Sequence, residues 1–133
     1  MKILLDTHIL LWTVTDDERL PQKAREMIKN EDNEIYFSII SLWEIQIKHI
    51  LHPNQMENAK VIALYCHISD FEPITLSERA IEILPDLKRP DSAPRHKDPF
   101  DKMLICQAVA EGMTFLTHDS LLSDYGVSNI MLV

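Results

Sequence analysis

The chain has 133 residues, 46% of them hydrophobic, and a formal net charge of −8 at pH 7, a size that suits one domain (residues 1–133) with a sizeable core. No apolar run approaches the roughly 18 to 20 residues that span a bilayer, and the opening MKILLDTHILLW is broken by Asp6 and His8 and lacks a small-residue cleavage site. A cytoplasmic protein that does not engage the membrane is therefore expected. The negative balance excludes a broad basic surface for nucleic acid but leaves room for a local basic rim.

Ile3 to Leu5 is a short apolar run that predicts a buried strand, followed at once by a helical stretch from His8 to Val14. A second helix is expected to open at Pro21 and run to about Lys29, with Ala24, Met27 and Ile28 inward. Ile35, Tyr36 and Phe37 predict the next strand, and Leu42 to Leu51 a helix carrying Ile45, Ile47 and Ile50. Another helix is predicted over Gln55 to His67 with Asn54 as its cap. Ser77 suits the cap of a short helix containing Ala80, Ile81 and Leu84. A loop rich in proline and cations follows, with Lys88, Arg89, Arg95, His96, Lys97 and Lys102 among Pro85, Pro90, Pro94 and Pro99; connections of that length are often functional. Phe100 to Glu111 is apolar almost all round, so it predicts a helix buried against a sheet and stopped by Gly112. Thr114 to Thr117 and Ile130 to Val133 complete the strands. Cys66 and Cys106 lie in apolar surroundings without a CxxC or Cys/His cluster and read as buried thiols.

Strands alternating with helices predict an α/β fold, a mostly parallel sheet of four to five short strands with helices on both faces. Sites in such sheets form beyond the carboxyl ends of the strands. Asp6 ends the first strand and Asp119 follows Thr117 closely; Glu44 and Asp101 lie near the starts of two helices and can project toward the same edge. Each has a plain alternative. Ser41-Leu42-Trp43-Glu44 fits a capping box, Asp98-Pro99-Phe100-Asp101 fits a helix start with Asp98 as cap, and Asp6 and Asp119 suit helix caps. Gathered within about 5 Å, however, like charges repel by roughly 3 kcal/mol per pair at an effective dielectric near 20, so a cation between them is expected. Oxygen donors favour Mg²⁺ or Mn²⁺, and no HExxH or paired histidine spacing points to zinc. His8, His96 and His118 are assigned to packing or substrate contact.

LLDTHILLW, SLWEIQIK, HKDPFDKMLICQA and FLTHD, in that order and over nearly the whole chain, resemble the successive motifs of PIN-domain proteins, specifically VapC-type toxins of bacterial toxin–antitoxin pairs. The resemblance implies a PIN-like fold and a Mg²⁺- or Mn²⁺-dependent endoribonuclease, often a homodimer, held inactive by a cognate antitoxin. It places the acidic site on Asp6, Glu44, Asp101 and Asp119, the set reached from position alone. Asp98 is then a helix cap or support, and Thr7, Ser41 and Thr117 adjoin the acids. Lys48, Arg95, His96, Lys97 and Lys102 are candidates to position RNA. One departure is the helix after Glu44, which runs on to Pro53 where many relatives have a glycine.

Neither a Ser/His/Asp arrangement nor a glycine-rich phosphate loop is evident, and with only two glycines metal-activated water is the economical nucleophile. A receiver domain would need an adjacent acidic pair where Thr7 follows Asp6, and an aspartyl phosphatase would need an acid at His8. The remaining alternative is a catalytically inactive PIN-like module that binds RNA or protein; four acids at one edge argue against it, because uncompensated charges are costly to gather.

Overall fold

The computed structural model describes residues 1–133. β1 (Lys2–Leu5), β2 (Glu34–Ser38), β3 (Glu72–Ile74), β4 (Thr114–Thr117) and β5 (Ile130–Leu132) form one sheet in the order β3-β2-β1-β4-β5, and every pairing is parallel. Parallel neighbours need long crossovers. Helices α1 (Thr7–Val14) and α2 (Gln22–Lys29) join β1 to β2, and α3 (Ile39–Leu51) and α4 (Ala59–Ile68) join β2 to β3. Between β3 and β4 run α5 (Glu78–Ile83), a 3₁₀ turn at Leu84–Asp86 and α6 (Pro99–Glu111); a second 3₁₀ turn, Ser120–Tyr125, precedes β5.

Strand side chains alternate between two cores. Ile3, Leu5, Ile35, Phe37 and Leu116 meet Ile9, Leu10, Ala24, Ile45, Ile62 and Cys66 on one face. Leu4 and Phe115 meet Leu104, Ile105, Ala108, Leu122 and Tyr125 on the other. Because both faces are covered, the middles of the central strands are apolar on both sides, as at Ile3, Leu4 and Leu5 or Phe115 and Leu116, while polar residues fall at the strand ends. α6 is buried from Leu104 to Ala108 because it lies under the sheet on one side and against α5 on the other, where Ala80, Cys106 and Ala110 pack together. Fully burying a residue such as Leu104 or Phe115 contributes roughly 1.5 to 3 kcal/mol, enough to fix the helix that carries Asp101. Both cysteines are free and buried, as expected. No helix is long and apolar enough to cross a membrane.

Four local expectations are corrected. α3 starts at Ile39, with Ser38 Oγ accepting from the Ile40 amide, so Ser41 is not a cap and Glu44 takes no part in a capping box. α4 starts at Ala59 under Asn58, not at Gln55 under Asn54, because residues 52–58 turn back against α3: Gln46 Oε1 accepts from the Ala59 amide and His49 Nδ1 meets the Met56 carbonyl. Pro21 stands at the cap of α2 and Gln22 begins it. β3 is an unanticipated strand of three residues containing Pro73, which an edge position tolerates because one of its sides needs no amide. Gly112, at φ 65°, ends α6 as predicted.

The chain leaves β1 for β2 and β3 on one side and returns to β4 on the other, so the order reverses between β1 and β4. That is the crevice where ligands of open α/β sheets bind. Asp6 follows β1 there and Asp119 lies just beyond β4.

Candidate active site

Asp6 is held from both ends. Its Oδ1 accepts from the His8 amide at 3.0 Å, which caps α1, and its Oδ2 accepts from the Thr117 hydroxyl at the end of β4. The residue is only 3% exposed. Burial raises its pKa first, and the neighbouring Glu44 charge adds to this; the Thr117 and His8 hydrogen bonds work the other way. Asp119 Oδ1 accepts from the Leu121 amide at 3.0 Å, and the Asp119 amide donates to Thr117 Oγ1 at 3.1 Å. Thr117 thus links the two strand-end acids. Each is also a cap, as the plain alternative held.

Glu44, released from any capping duty by the earlier start of α3, lies in the interior of that helix with its side chain 3% exposed. Oε2 meets Lys48 Nζ at 2.7 Å, one helical turn on, while Oε1 is buried without a partner. Asp98 caps α6, accepting from the Phe100 amide at 2.9 Å and the Asp101 amide at 3.3 Å, with Pro99 in the first turn where its missing N–H costs nothing. Asp101, 13% exposed, then faces His96 Nε2 at 3.2 Å through Oδ2. Burial, followed by the charges of Asp6, Asp98, Glu44 and Asp119, pushes the Asp101 carboxyl up to about 8. The four predicted acids therefore act on one another, although they come from four separate parts of the chain.

His96 is the residue whose place was least anticipated. Its ring is 5% exposed, its Nδ1 lies 2.6 Å from the Tyr125 hydroxyl, and one ligand atom each from His96, Asp101 and Asp119 lie within 4.8 Å of one another. Burial holds its pKa below the ordinary histidine value. The imidazole is therefore neutral at pH 7 and can accept at one ring nitrogen.

These donors fit a hard or borderline divalent cation: carboxylate oxygens dominate, the Glu44 Oε1 atom is buried without a partner, and Asp101 ionises only with difficulty among its neighbours. Asp101 and Asp119 could hold such an ion, and Asp6 and Glu44, whose charges reach Asp101, could join them.

The other predicted residues sort clearly. Thr7 Oγ1 donates to Ser41 Oγ at 2.9 Å, both buried, so this pair ties the start of α1 to α3 and bonds to no acid. Lys48 is committed to Glu44. Arg95, His96 and Lys102 line a cavity of about 400 Å³ together with Arg89 and Tyr125. Lys97 is exposed and outside that lining. A smaller cavity of about 230 Å³ is bounded by Asp6, His8, Trp12, His118 and Asp119.

Three supports escaped sequence reasoning. Tyr125 holds His96; Arg89 is buried between Asp124 (3.0 Å), the Leu121 and Pro94 carbonyls and the Tyr125 ring; and Ser38 Oγ donates to Gln107 Oε1 at 2.6 Å, joining the end of β2 to α6. Gln107 left a signal as a lone polar residue in the apolar run from Leu104 to Ala110, and Arg89 only as one cation of the proline-rich loop.

Solved structures of similar fold include VapBC2 from Rickettsia felis bound to a DNA fragment from its promoter (20% identity, TM-score 0.68, covering 100% of this chain and 98% of the other). FitAcB from Neisseria gonorrhoeae is similar at 17% identity and TM-score 0.65, covering 97% and 96%. A toxin–antitoxin complex from Klebsiella pneumoniae matches at 16% identity and TM-score 0.59, covering 97% and 95%. No curated protein sequence matches the chain. The family model described as "PIN domain" matches residues 3–127. With that match spanning nearly its whole length, the chain belongs to the PIN domain family.

Proposed function

We propose that this protein is a Mg²⁺- or Mn²⁺-dependent endoribonuclease, the toxin of a toxin–antitoxin pair, with residues 1–133 acting as one unit. The observation that carries the reading is the convergence of Asp6, Glu44, Asp101 and Asp119 at the switch point of the sheet, with a buried Glu44 oxygen lacking any partner. When bound, the cation supplies Lewis acidity toward the scissile phosphate and lowers the pKa of water. Asp6, Glu44, Asp101 and Asp119 would hold it. Thr117 fixes the Asp6 carboxylate, Lys48 fixes one Glu44 oxygen, and Asp98 sets the first turn that aims Asp101. Arg95 and Lys102 position the RNA backbone in the neighbouring cavity, and the exposed Lys97 adds its charge outside it.

An antitoxin as partner is supported by likeness to structures of toxin–antitoxin complexes and by the apolar residues exposed on α3 and α4, among them Trp43, Ile50, Leu51, Leu64 and Ile68. The same face is available to a homodimer.

Incubating the purified protein with single-stranded RNA, with matched DNA, and with Mg²⁺ or Mn²⁺ tests the reading. RNA cleavage that EDTA abolishes and that Asp6→Asn and Asp101→Asn lose is the expected result. Full activity in well-folded variants would overturn it, and cation-independent RNA binding without cleavage would favour the inactive module.

A further inference from the structure

His96 is more than a neighbour of the acids. Its side chain is buried, its Nδ1 is engaged by Tyr125 at 2.6 Å, and the ring lies edge-on to the Tyr125 ring with centroids 5.6 Å apart. That grip leaves Nε2 pointing at Asp101, 3.2 Å from Oδ2. Histidines that bind metals almost always have their second ring nitrogen bonded in this way, which fixes both tautomer and ring plane. Nε2, an Asp101 oxygen and an Asp119 oxygen are close enough to share one ion. Tyr125 is in turn held by the buried Arg89 guanidinium, 5.4 Å from its ring centre, so three layers of contacts aim one nitrogen.

We infer that His96 supplies Nε2 as a nitrogen ligand to the cation held by Asp101 and Asp119, so that the site selects Mn²⁺ over Mg²⁺. The inference rests on the reading of the acids as a cation site. Mg²⁺ demands oxygen donors and surrenders its waters reluctantly, whereas Mn²⁺, also at home among carboxylates, is a transition ion that accepts an imidazole nitrogen more readily than Mg²⁺ does. A site built from Asp6, Glu44, Asp101 and Asp119 alone has no such preference. Tyr125 is a positioning residue for this ligand.

Binding is read with the cations alone, without RNA. Mn²⁺ titrated into the protein and followed by electron paramagnetic resonance should show nitrogen hyperfine coupling from one imidazole, and Mg²⁺ should displace it only at about tenfold or greater excess. In His96→Gln the nitrogen coupling should vanish and Mn²⁺ affinity should fall at least about tenfold while Mg²⁺ affinity changes little, which collapses the preference. Tyr125→Phe keeps the fold's aromatic ring and should retain the coupling with weaker Mn²⁺ binding. It also keeps the question open to test if His96→Gln does not fold. Asp101→Asn, which removes a carboxylate, should weaken both ions. Mn²⁺ bound without nitrogen coupling, or equal loss of both ions in His96→Gln, overturns the role of His96 and leaves the acidic site standing. Failure of the wild-type chain to bind either ion overturns both.

Discussion

The two halves of the site are held by different physics. Asp6 and Asp119 extend directly from neighbouring strands and share the hydroxyl of Thr117, so their separation is set by the β1–β4 pairing itself. Arg95, His96 and Lys97 lie on a proline-rich connection with no pairing to the sheet, and side chains alone bring it in. Arg89 is the main fastener, donating to the Leu121 carbonyl and pairing with Asp124 while lying against Tyr125, and it is 10% exposed. A strand-borne acid is placed by the backbone ladder of the β1–β4 pair, whereas the loop depends chiefly on one guanidinium and one tyrosine. Chemistry should therefore fail when the first half is altered, and placement of the loop should fail when the second is.

The largest effect expected is on catalysis in Asp6→Asn and Asp101→Asn. Loss of a metal-holding carboxylate removes several kcal/mol of transition-state stabilisation, on the order of 10³-fold in rate. Asp101→Asn should keep or gain stability without a cation, because it replaces a buried carboxyl that is hard to ionise with a neutral group of the same shape. Rate assays paired with denaturant unfolding would check both, and a catalytic loss accompanied by marked destabilisation would break the distinction between the halves.

Arg89→Ala should reverse that pattern. Removing a buried guanidinium with several hydrogen bonds is expected to cost about 2 to 3 kcal/mol of stability. Activity should drop less than in the Asp variants, through a higher KM and a higher Mn²⁺ requirement, because the acids keep their frame while Arg95 and His96 lose theirs. Steady-state kinetics that show an unchanged KM would mean the loop has another anchor.

The same division explains what could be read in the chain. Asp6, Asp98 and Asp101 were legible because caps and strand ends follow local rules, and a Pro after an Asp states where a helix begins. The two-faced burial of α6 was legible for a similar reason, since its composition excludes a solvent face. The start of α4 was misplaced because Gln46, thirteen positions earlier, decides which amide needs a partner. β3 exists through pairing with β2, not through its own three residues. His96 to Tyr125 spans 29 positions, Arg89 to Asp124 spans 35, and Ser38 to Gln107 spans 69; no local pattern encodes such contacts. Local signals place the acids, and the distant contacts that steady them appear only in the folded chain.

A smaller effect is expected from pH. Folding raises the Asp101 pKa to about 8, so the folded cation-free protein holds a proton that the unfolded chain, with its carboxyl near the ordinary value, has already released. The resulting stabilisation is complete below about pH 4 and is lost as pH rises through about 8. His96 works in the opposite sense. Its lowered folded-state value makes stability fall as the medium drops below about 6.5, so below that pH it offsets the Asp101 slope. From pH 6.5 to 8 the Asp101 contribution should decline by about 2 kcal/mol in EDTA. Urea unfolding should show this slope in wild type and its absence in Asp101→Asn. A slope that survives the substitution would assign the proton to another acid, with Asp6, also raised by burial, the first candidate.

The smallest effect belongs to Lys97, and it sharpens the contrast within the loop. Lys97 is exposed and outside the cavity, whereas Lys102, on the first turns of α6, lines it. If both meet phosphate, each should release one counterion's worth of salt dependence, about 0.7 in the slope of log affinity against log salt for a single strand. Their affinities should differ all the same. Lys102 is carried by a helix whose burial fixes it, so its charge is in place before RNA arrives, and Lys102→Ala should weaken binding more than Lys97→Ala. Lys97 must be ordered when RNA binds, and the entropy of restraining a long side chain offsets much of its attraction. Lys97→Ala is expected to weaken RNA binding less than about threefold near physiological salt. Fluorescence anisotropy across a salt series with each variant would read both quantities. An equal loss for the two lysines would mean that the Arg89 fastener makes the loop as rigid as the helix beside it.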